Sequence, residues 1–300
     1  MSEAEDFAFE WLALREPFDA LARSERLAQR LIAALPARPR LLDLGAGTGS
    51  LLRWLAPRIG RAQAWTLVDA DRAMTEEAFE TIAERAEDIG LKVTFPSRRT
   101  LLVHAPGGAW RVEAVIADLA EAPDNLPLAN ADAVLSSALC DLVSEAWIAR
   151  MAAALRLPFY AALCVDGRLR LHPPHHADAR LAGAFRRDQG RDKGFGPALG
   201  PRAPAVIAHH FAARGFTVES AASDWVVESR DRTSLPHLRE TRQDFLTQLI
   251  LGHAAAAERQ YRGARPGLDA WAAARLQQIE ARALTARIGH RDLLALPPRR

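Results

Sequence analysis

The stretch LLDLGAGTGS, Leu41 to Ser50, constrains the fold more than any other part of the chain. An apolar run ends in an acid, breaks into glycines at alternate positions, and then takes up a helical pattern. Glycine accepts left-handed backbone without steric cost, and alternate glycines let the chain turn tightly while a ligand lies close. A turn of this kind, between a buried strand and a helix, is where α/β proteins hold nucleotide-like ligands. Spacing narrows the choice of ligand. A dinucleotide site wants G-x-G-x-x-G, whereas Gly45, Gly47 and Gly49 are spaced G-x-G-x-G with serine at position 50. A phosphate loop needs a Lys-Ser or Lys-Thr pair, and none follows. Asp43 remains, two residues before the first glycine, placed to meet a positively charged part of a ligand.

The rest of the chain repeats this strand-helix grammar. Residues 1–36 read as a helical cap, with Ser24 capping SERLAQRLIAALP. RLLDL and SLLRWLA form one βα unit, and AWTLVDAD with the helical run from Arg72 to Gly90 forms a second. LKVTF and then TLLVHAPGGAWRVEAVIADL, two strand-like runs around an APGGA turn signal, predict an inserted β-hairpin, from VTF to VEA, leading into a third main strand, VEAVIADL. DAVLSSAL is a fourth strand, followed by a helix capped by Ser144. PFYAALCV is a fifth, with DGRLRLHPP as a partner strand after an Asp166-Gly167 turn. APAVIAHHFAARG predicts a helix and FTVESAASDWVVE a hairpin. Past residue 235 the pattern turns helical: Phe245, Leu249, Ile250 and Ala257 share one face, and Leu268, Trp271, Leu276 and Ile279 another. TARIGHRDLLALPP reads as a short strand or extended segment, with Gly289 as a helix stop. The expected architecture is a Rossmann-like α/β sheet, mainly parallel with one antiparallel strand and covered by helices. It divides into a helical cap (1–36), a core (37–235) and a C-terminal helical extension (236–300) packed on the core.

DLGAGTG, VDAD and IADL together resemble the class I S-adenosylmethionine-dependent methyltransferases, whose first motif is an acid followed by G-x-G-x-G at the end of the first strand. The resemblance covers roughly Leu41 to Val227. It implies S-adenosylmethionine as cofactor. Asp43 would face its amino acid end, with Gly45, Gly47 and Gly49 letting the nucleoside lie close. Asp69, followed by Ala70, would accept both ribose hydroxyls, and Asp118 with the Leu119 N–H would receive the adenine. In this family a final antiparallel strand closes the sheet, and FTVESAASDWVVE stands where that hairpin belongs. The implied activity is in-line transfer of a methyl group to a small-molecule acceptor. Two alternatives stay open: a non-catalytic cofactor-binding or regulatory protein on the same fold, and a methyltransferase of a macromolecule.

Methyl transfer from a sulfonium asks the protein mainly to hold a nucleophile behind the methyl in a dry pocket. Asp141, in SSALCDLVSEAW after the fourth strand, would orient a hydroxyl or amine or accept its proton. His172, His175 and His176 in LHPPHHADAR lie toward the sheet edge that holds ligands; His172 is a candidate base and His175 a substrate contact. The H-x-x-H-H spacing offers no third ligand with local logic, so no metal is expected. Phe18 and Trp147 are candidate pocket aromatics, together with Trp11. Lys193 and Phe195 sit in the glycine-rich RRDQGRDKGFGPALGP, which reads as a lid. Net charge is +2, and of 39 cationic residues only Lys92 and Lys193 are lysines. That balance gives no electrostatic case for a nucleic-acid partner. Cys140 and Cys164 stand in apolar runs and read as reduced buried thiols. No apolar run approaches the ~20 residues of a membrane span, and the acidic N-terminus is unlike a signal peptide, so a cytoplasmic location is expected. The amphipathic C-terminal helices would bury their faces on the core or in a homodimer.

Overall fold

The computed structural model describes residues 3–229, 236–260 and 265–298. Helices α1 (Glu3–Ala22) and α2 (Glu25–Ala34) lead into β1 (Arg40–Leu44). Then follow α3 (Ser50–Ile59), β2 (Gln63–Asp69), α4 (Arg72–Asp88), β3 (Lys92–Ser97), β4 (Thr100–His104) and β5 (Trp110–Ile116). β6 (Ala133–Ser137), α5 (Glu145–Ala154), β7 (Phe159–His172), α6 (Asp178–Gln189) and α7 (Ala203–Ala212) continue the alternation. The chain ends with β8 (Thr217–Ala222), β9 (Trp225–Glu228), α8 (Pro236–Gln260), α9 (Arg265–Glu280) and β10 (Thr285–Leu296). The sheet order is β3-β4-β5-β2-β1-β6-β7-β10-β8, with β9 also pairing to β10.

Strands β5, β2, β1, β6 and β7 are mutually parallel, as expected of strands linked by helical crossovers. Their near-continuous apolar sequences follow from helices on both faces. Leu41, Trp65 and Leu67 pack with Leu27 and Leu31 of α2, Leu52 of α3 and Phe79 of α4. Leu42, Leu44 and Val68 point the other way, onto Ile148 and Met151 of α5 and Phe211 of α7. The predicted caps form: Ser24 accepts from the Leu27 N–H and Ser144 from the Trp147 N–H. The inserted hairpin is β3-β4, and β4 runs antiparallel against β5 at the sheet edge.

Several expectations change on the C-terminal side, all of them through one strand. β10 is antiparallel to both β7 and β8 and lies between them. The segment expected within a C-terminal extension is therefore the strand that closes the sheet. Helices α8 and α9 are an excursion between β9 and β10, so the resemblance runs past Val227 to the end of β10. Because β10 has twelve residues, β7 pairs along it as one strand of fourteen, from Phe159↔Ala295 to His172↔Thr285, and no Asp166-Gly167 hairpin forms. β8 and β9 likewise lie end to end along β10 and do not pair with each other. Asp224 pins the bend between them by accepting from Arg168, Arg287 and the His290 N–H. Gly289 is no helix stop. It sits at a bulge of β10, where a Cβ would collide with Asp166 and Arg168. The apolar faces expected to seek the core or a second copy are covered within the chain. Phe245, Leu249 and Ile250 of α8 and Trp271 and Ile279 of α9 form a third cluster with Phe18, Leu181 and Trp225. The boundary at residue 235 lies outside the described residues.

Candidate active site

At the carboxyl ends of β1, β2 and β6 the chain encloses a cavity of about 520 Å³. Its floor is the turn after β1. The Gly45 and Ala46 N–H groups donate to the Val68 carbonyl at 2.9 and 3.2 Å, tying the turn to β2. Gly45, Gly47 and Gly49 all adopt left-handed φ, of 64°, 52° and 81°, which is why side-chain-bearing residues do not serve here. Gly45, Ala46 and Gly47 line the cavity; Gly49 does not. It caps α3 from behind, against Ile82 of α4.

Three acids expected at strand ends line this cavity: Asp43, Asp69 and Asp118, with Ala70 and Leu119 beside them. Asp43 is 1% exposed, and neither carboxylate oxygen has a hydrogen-bond partner. Burial pushes its pKa up to about 8; Arg23 opposes the rise and Asp69 adds to it. Arg23 is itself buried, donating to the Ser50 and Ser137 hydroxyls at 3.0 and 3.1 Å. Asp69 accepts from the Gly47 N–H at 2.9 Å through one oxygen and from the Asp71 N–H at 3.1 Å through the other. Each oxygen thus keeps a lone pair for a further donor. Asp118 accepts from the Ala120 N–H at 2.8 Å, which shapes the short turn holding Leu119.

Helix α1 closes the cavity, contributing Leu12, Arg15 and Asp19, and the glycine-rich loop after α6 adds Lys193, Gly194 and Phe195. Asp192 shapes that loop by accepting from the Gly194 and Gly196 N–H groups. A second cavity, of about 290 Å³, shares Arg15, Ala138 and Leu142 with the first and contains Asp141. Asp141 is 8% exposed with its Oδ1 unpartnered, and burial raises its pKa to about 6, against the pull of Arg15 and Lys193. It is therefore mostly a carboxylate at neutral pH. Ala138 and Leu163, flanking this junction, hold φ of 54° and 55°, a conformation that costs about 1 kcal/mol or more for residues with a Cβ.

Other candidates fall elsewhere. His172 is exposed at the end of β7, paired with Thr285 outside both cavities. His175 caps the start of α6: its N–H donates to Asp178 and its Nδ1 accepts from the Ala177 N–H. Phe18 packs on Phe245 at 4.3 Å in the third cluster, because α1 turns that face toward α8. Trp147 is fully buried, and its indole N–H donates to the Leu119 carbonyl at 2.7 Å, so it supports the cavity wall from behind. Sequence reading missed Arg15, Trp225, His253 and His290. They come from α1, β9, α8 and β10, far apart in the chain, and no local spacing connects them.

No protein-family model matches the sequence. A stretch of 56 residues, 18% of the chain, is 52% identical to the biotin biosynthesis bifunctional protein BioCD of Bordetella avium (strain 197N), and covers 12% of that protein. Solved structures offer remote similarities. Phosphoethanolamine N-methyltransferase 2 of Haemonchus contortus matches at 14% identity with a TM-score of 0.40, over 92% of this chain and 54% of that one. Geranyl diphosphate methyltransferase matches at 12% identity and 0.42, over 91% and 78%. The cyclopropane synthase MmaA2 of Mycobacterium tuberculosis matches at 12% and 0.41, over 90% and 83%. This chain thus spans about half of the first structure and about an eighth of BioCD. An acid and glycine turn after β1, acids at the ends of β2 and β5, and a mainly parallel sheet with the antiparallel β10 inserted between β7 and β8 form the Rossmann-like α/β arrangement that the sequence resemblance to class I S-adenosylmethionine-dependent methyltransferases implied.

Proposed function

We propose that the protein transfers a methyl group from S-adenosylmethionine to a small-molecule acceptor by in-line displacement. Asp43 carries this reading. A buried carboxylate with two unpartnered oxygens is costly to ionise, and a ligand bringing a positive charge into the cavity recovers that cost. The residues present fit the cofactor: Asp43 faces a cationic amino group, Asp69 has lone pairs left for two hydroxyls, and the Gly45–Gly47 backbone leaves room for a nucleoside. Asp118 and Leu119 would hold the adenine. When bound, the cofactor supplies an electrophilic methyl carbon on a cationic sulfur. The chain's own work is positioning and the exclusion of water. Helix α1 and the loop bearing Lys193 and Phe195 cover the site, and Asp141 lines the second cavity, which shares Arg15, Ala138 and Leu142 with the first, where it would orient the acceptor and receive its proton.

An adjoining second cavity that shares lining residues with the first favours an enzyme over a regulatory cofactor-binding protein, since a sensor needs no second chamber. The acceptor's small size is supported by the limited volumes and by a net charge of +2. Among the described residues no helix is long and apolar enough to cross a membrane; the free, buried Cys140 and Cys164 support a reducing, cytoplasmic setting. The test incubates purified protein, cofactor and a metabolite extract, and searches by mass spectrometry for products heavier by one methyl group. Appearance of such a product, absent with Asp69→Ala protein, supports the proposal; cofactor binding without any methylated product supports the regulatory alternative.

A further inference from the structure

The second cavity has a chemistry of its own. Its walls are aromatic: Trp11 and Trp225 meet edge to face at 6.4 Å, and Phe185 stacks on the His253 ring at 4.0 Å. Its polar lining comprises Asp141, His253 and His290 together with Arg15, Arg168, Arg186 and Gln189. Both imidazoles are almost wholly buried, at 3% and 2% exposure. The Nδ1 of His253 lies 2.8 Å from the Leu249 carbonyl oxygen, and the Nδ1 of His290 lies 3.2 Å from that of Ile288. A carbonyl only accepts, so each Nδ1 carries the ring proton. Burial holds both rings' pKa down to about 4, so near pH 7 each is neutral and its Nε2 is an acceptor. Asp141 adds a carboxylate oxygen with no protein partner. The lining also carries donors, an amide from Gln189 and three guanidinium groups, and the guanidinium groups are each engaged by the protein. Arg15 is bound to Asp19 and lies over the Trp225 ring at 5.1 Å, Arg168 is held by Asp224, and Arg186 reaches the Gly167 carbonyl.

A chamber with aromatic walls and acceptors inside asks for an apolar ring that brings its own donors. We infer that this cavity is the acceptor site and takes a small hydroxylated aromatic molecule, its ring against Trp11, Phe185 and Trp225 and its hydroxyl protons received by His253, His290 and Asp141. The volume, at the lower end of ligand pockets, suits one or two rings. The inference rests on the methyl-transfer reading for its chemistry: a hydroxyl directed at the shared wall forms the new O–CH₃ bond as the C–S bond breaks, the electron pair of that bond stays on sulfur, and the hydroxyl proton passes to Asp141 and on to solvent. It also explains the excursion between β9 and β10, because α8 supplies Leu249 and His253 to a wall the sheet alone lacks.

The test uses full-length protein saturated with S-adenosylhomocysteine, titrated with 2-naphthol and with 2-methoxynaphthalene, which has the same ring system and no donor. Tryptophan fluorescence and calorimetry read the binding. The naphthol should bind at least about tenfold more tightly than the ether, and His253→Phe and His290→Phe should shrink that ratio. Leu249→Trp, which fills the chamber, should abolish naphthol binding while S-adenosylhomocysteine still binds, which also shows that the variant is folded. Equal affinity for the two probes, naphthol binding that survives Leu249→Trp, or binding of neither probe would overturn the inference. Protein that fails to bind S-adenosylhomocysteine but still prefers the naphthol would overturn the methyl-transfer reading and leave the chamber's donor preference standing.

Discussion

Asp43 is where chemistry and stability meet in a single side chain. Its free carboxyl titrates near 8, and a cationic ligand favours the ionised form, so binding must release a proton and affinity must rise with pH up to about 8. We expect S-adenosylmethionine to bind severalfold more tightly at pH 8 than at pH 6, and calorimetry in buffers of different ionisation enthalpy to report the proton. Asp43→Asn should lose both effects; pH-independent binding by the wild type would refute the assignment. The buried histidines behave in the opposite sense. With pKa values of about 4 in the fold against 6.5 in the open chain, His253 and His290 contribute stability present above about 6.5 and lost as pH falls toward 4. Each shift is worth up to about 3 kcal/mol. Asp43 and Asp141 oppose this trend, so the comparison is with variants: the unfolding free energy of the wild type minus that of His253→Gln should fall between pH 6.5 and 4, and a flat difference would show that the ring is protonated in the fold. At this scale the convergence of Asp43, Asp69 and Asp118 on one cavity was foreseeable from the sequence, since motif and strand end fall together. The second chamber was not, because Trp225, His253 and His290 converge only through tertiary structure.

Among the elements, β10 decides the most. Asp292, fully buried on this strand, accepts from the Ser24 N–H at 2.7 Å, the Tyr160 hydroxyl at 2.9 Å and the Leu163 N–H at 2.9 Å. One carboxylate thereby joins the start of α2, β7 and β10. Asp292→Ala would leave three buried donors unmatched and should cost about 3–5 kcal/mol by chemical denaturation, with Asp292→Asn costing less. A change under about 1 kcal/mol would mean that water replaces the carboxylate. The closing strand was hard to place from sequence. DLLALPP lies far from the glycine motif and follows two long helices, whereas FTVESAASDWVVE follows a helix at the usual position. Both segments carry strand patterns, and a strand pattern does not name its partner. Pairing had to decide it.

Across the molecule, the C-terminal segment expected to pack on the core also contributes a strand, β10, to the sheet itself. Ending the chain at residue 235 removes β10 from between β7 and β8 and uncovers Leu171, Leu181 and Trp225. Such a truncate should aggregate or elute as a large species on size-exclusion chromatography; a soluble monomer melting like the full chain would show that β10 is dispensable. Chain order and space also part company at the other end. Helix α1 comes first in sequence yet lies over both cavities at once, through Trp11, Leu12 and Arg15. The sheet was foreseeable because buried strands and capped helices announce themselves locally. That α1 and α8 would wall the same cavity was not, since no local spacing relates them.

The proposed activity requires that the cavity after β1 hold S-adenosylmethionine. Calorimetric titration of the purified protein at pH 8 tests it most directly. One site per chain is expected, with a dissociation constant in the micromolar range, about −8 kcal/mol. Asp69→Ala should weaken binding by about 1.5–3 kcal/mol, because a charged acceptor of two hydroxyls is lost, and NAD should produce no heat of binding. Binding of NAD in place of S-adenosylmethionine, or equal affinity in wild type and Asp69→Ala, would contradict it.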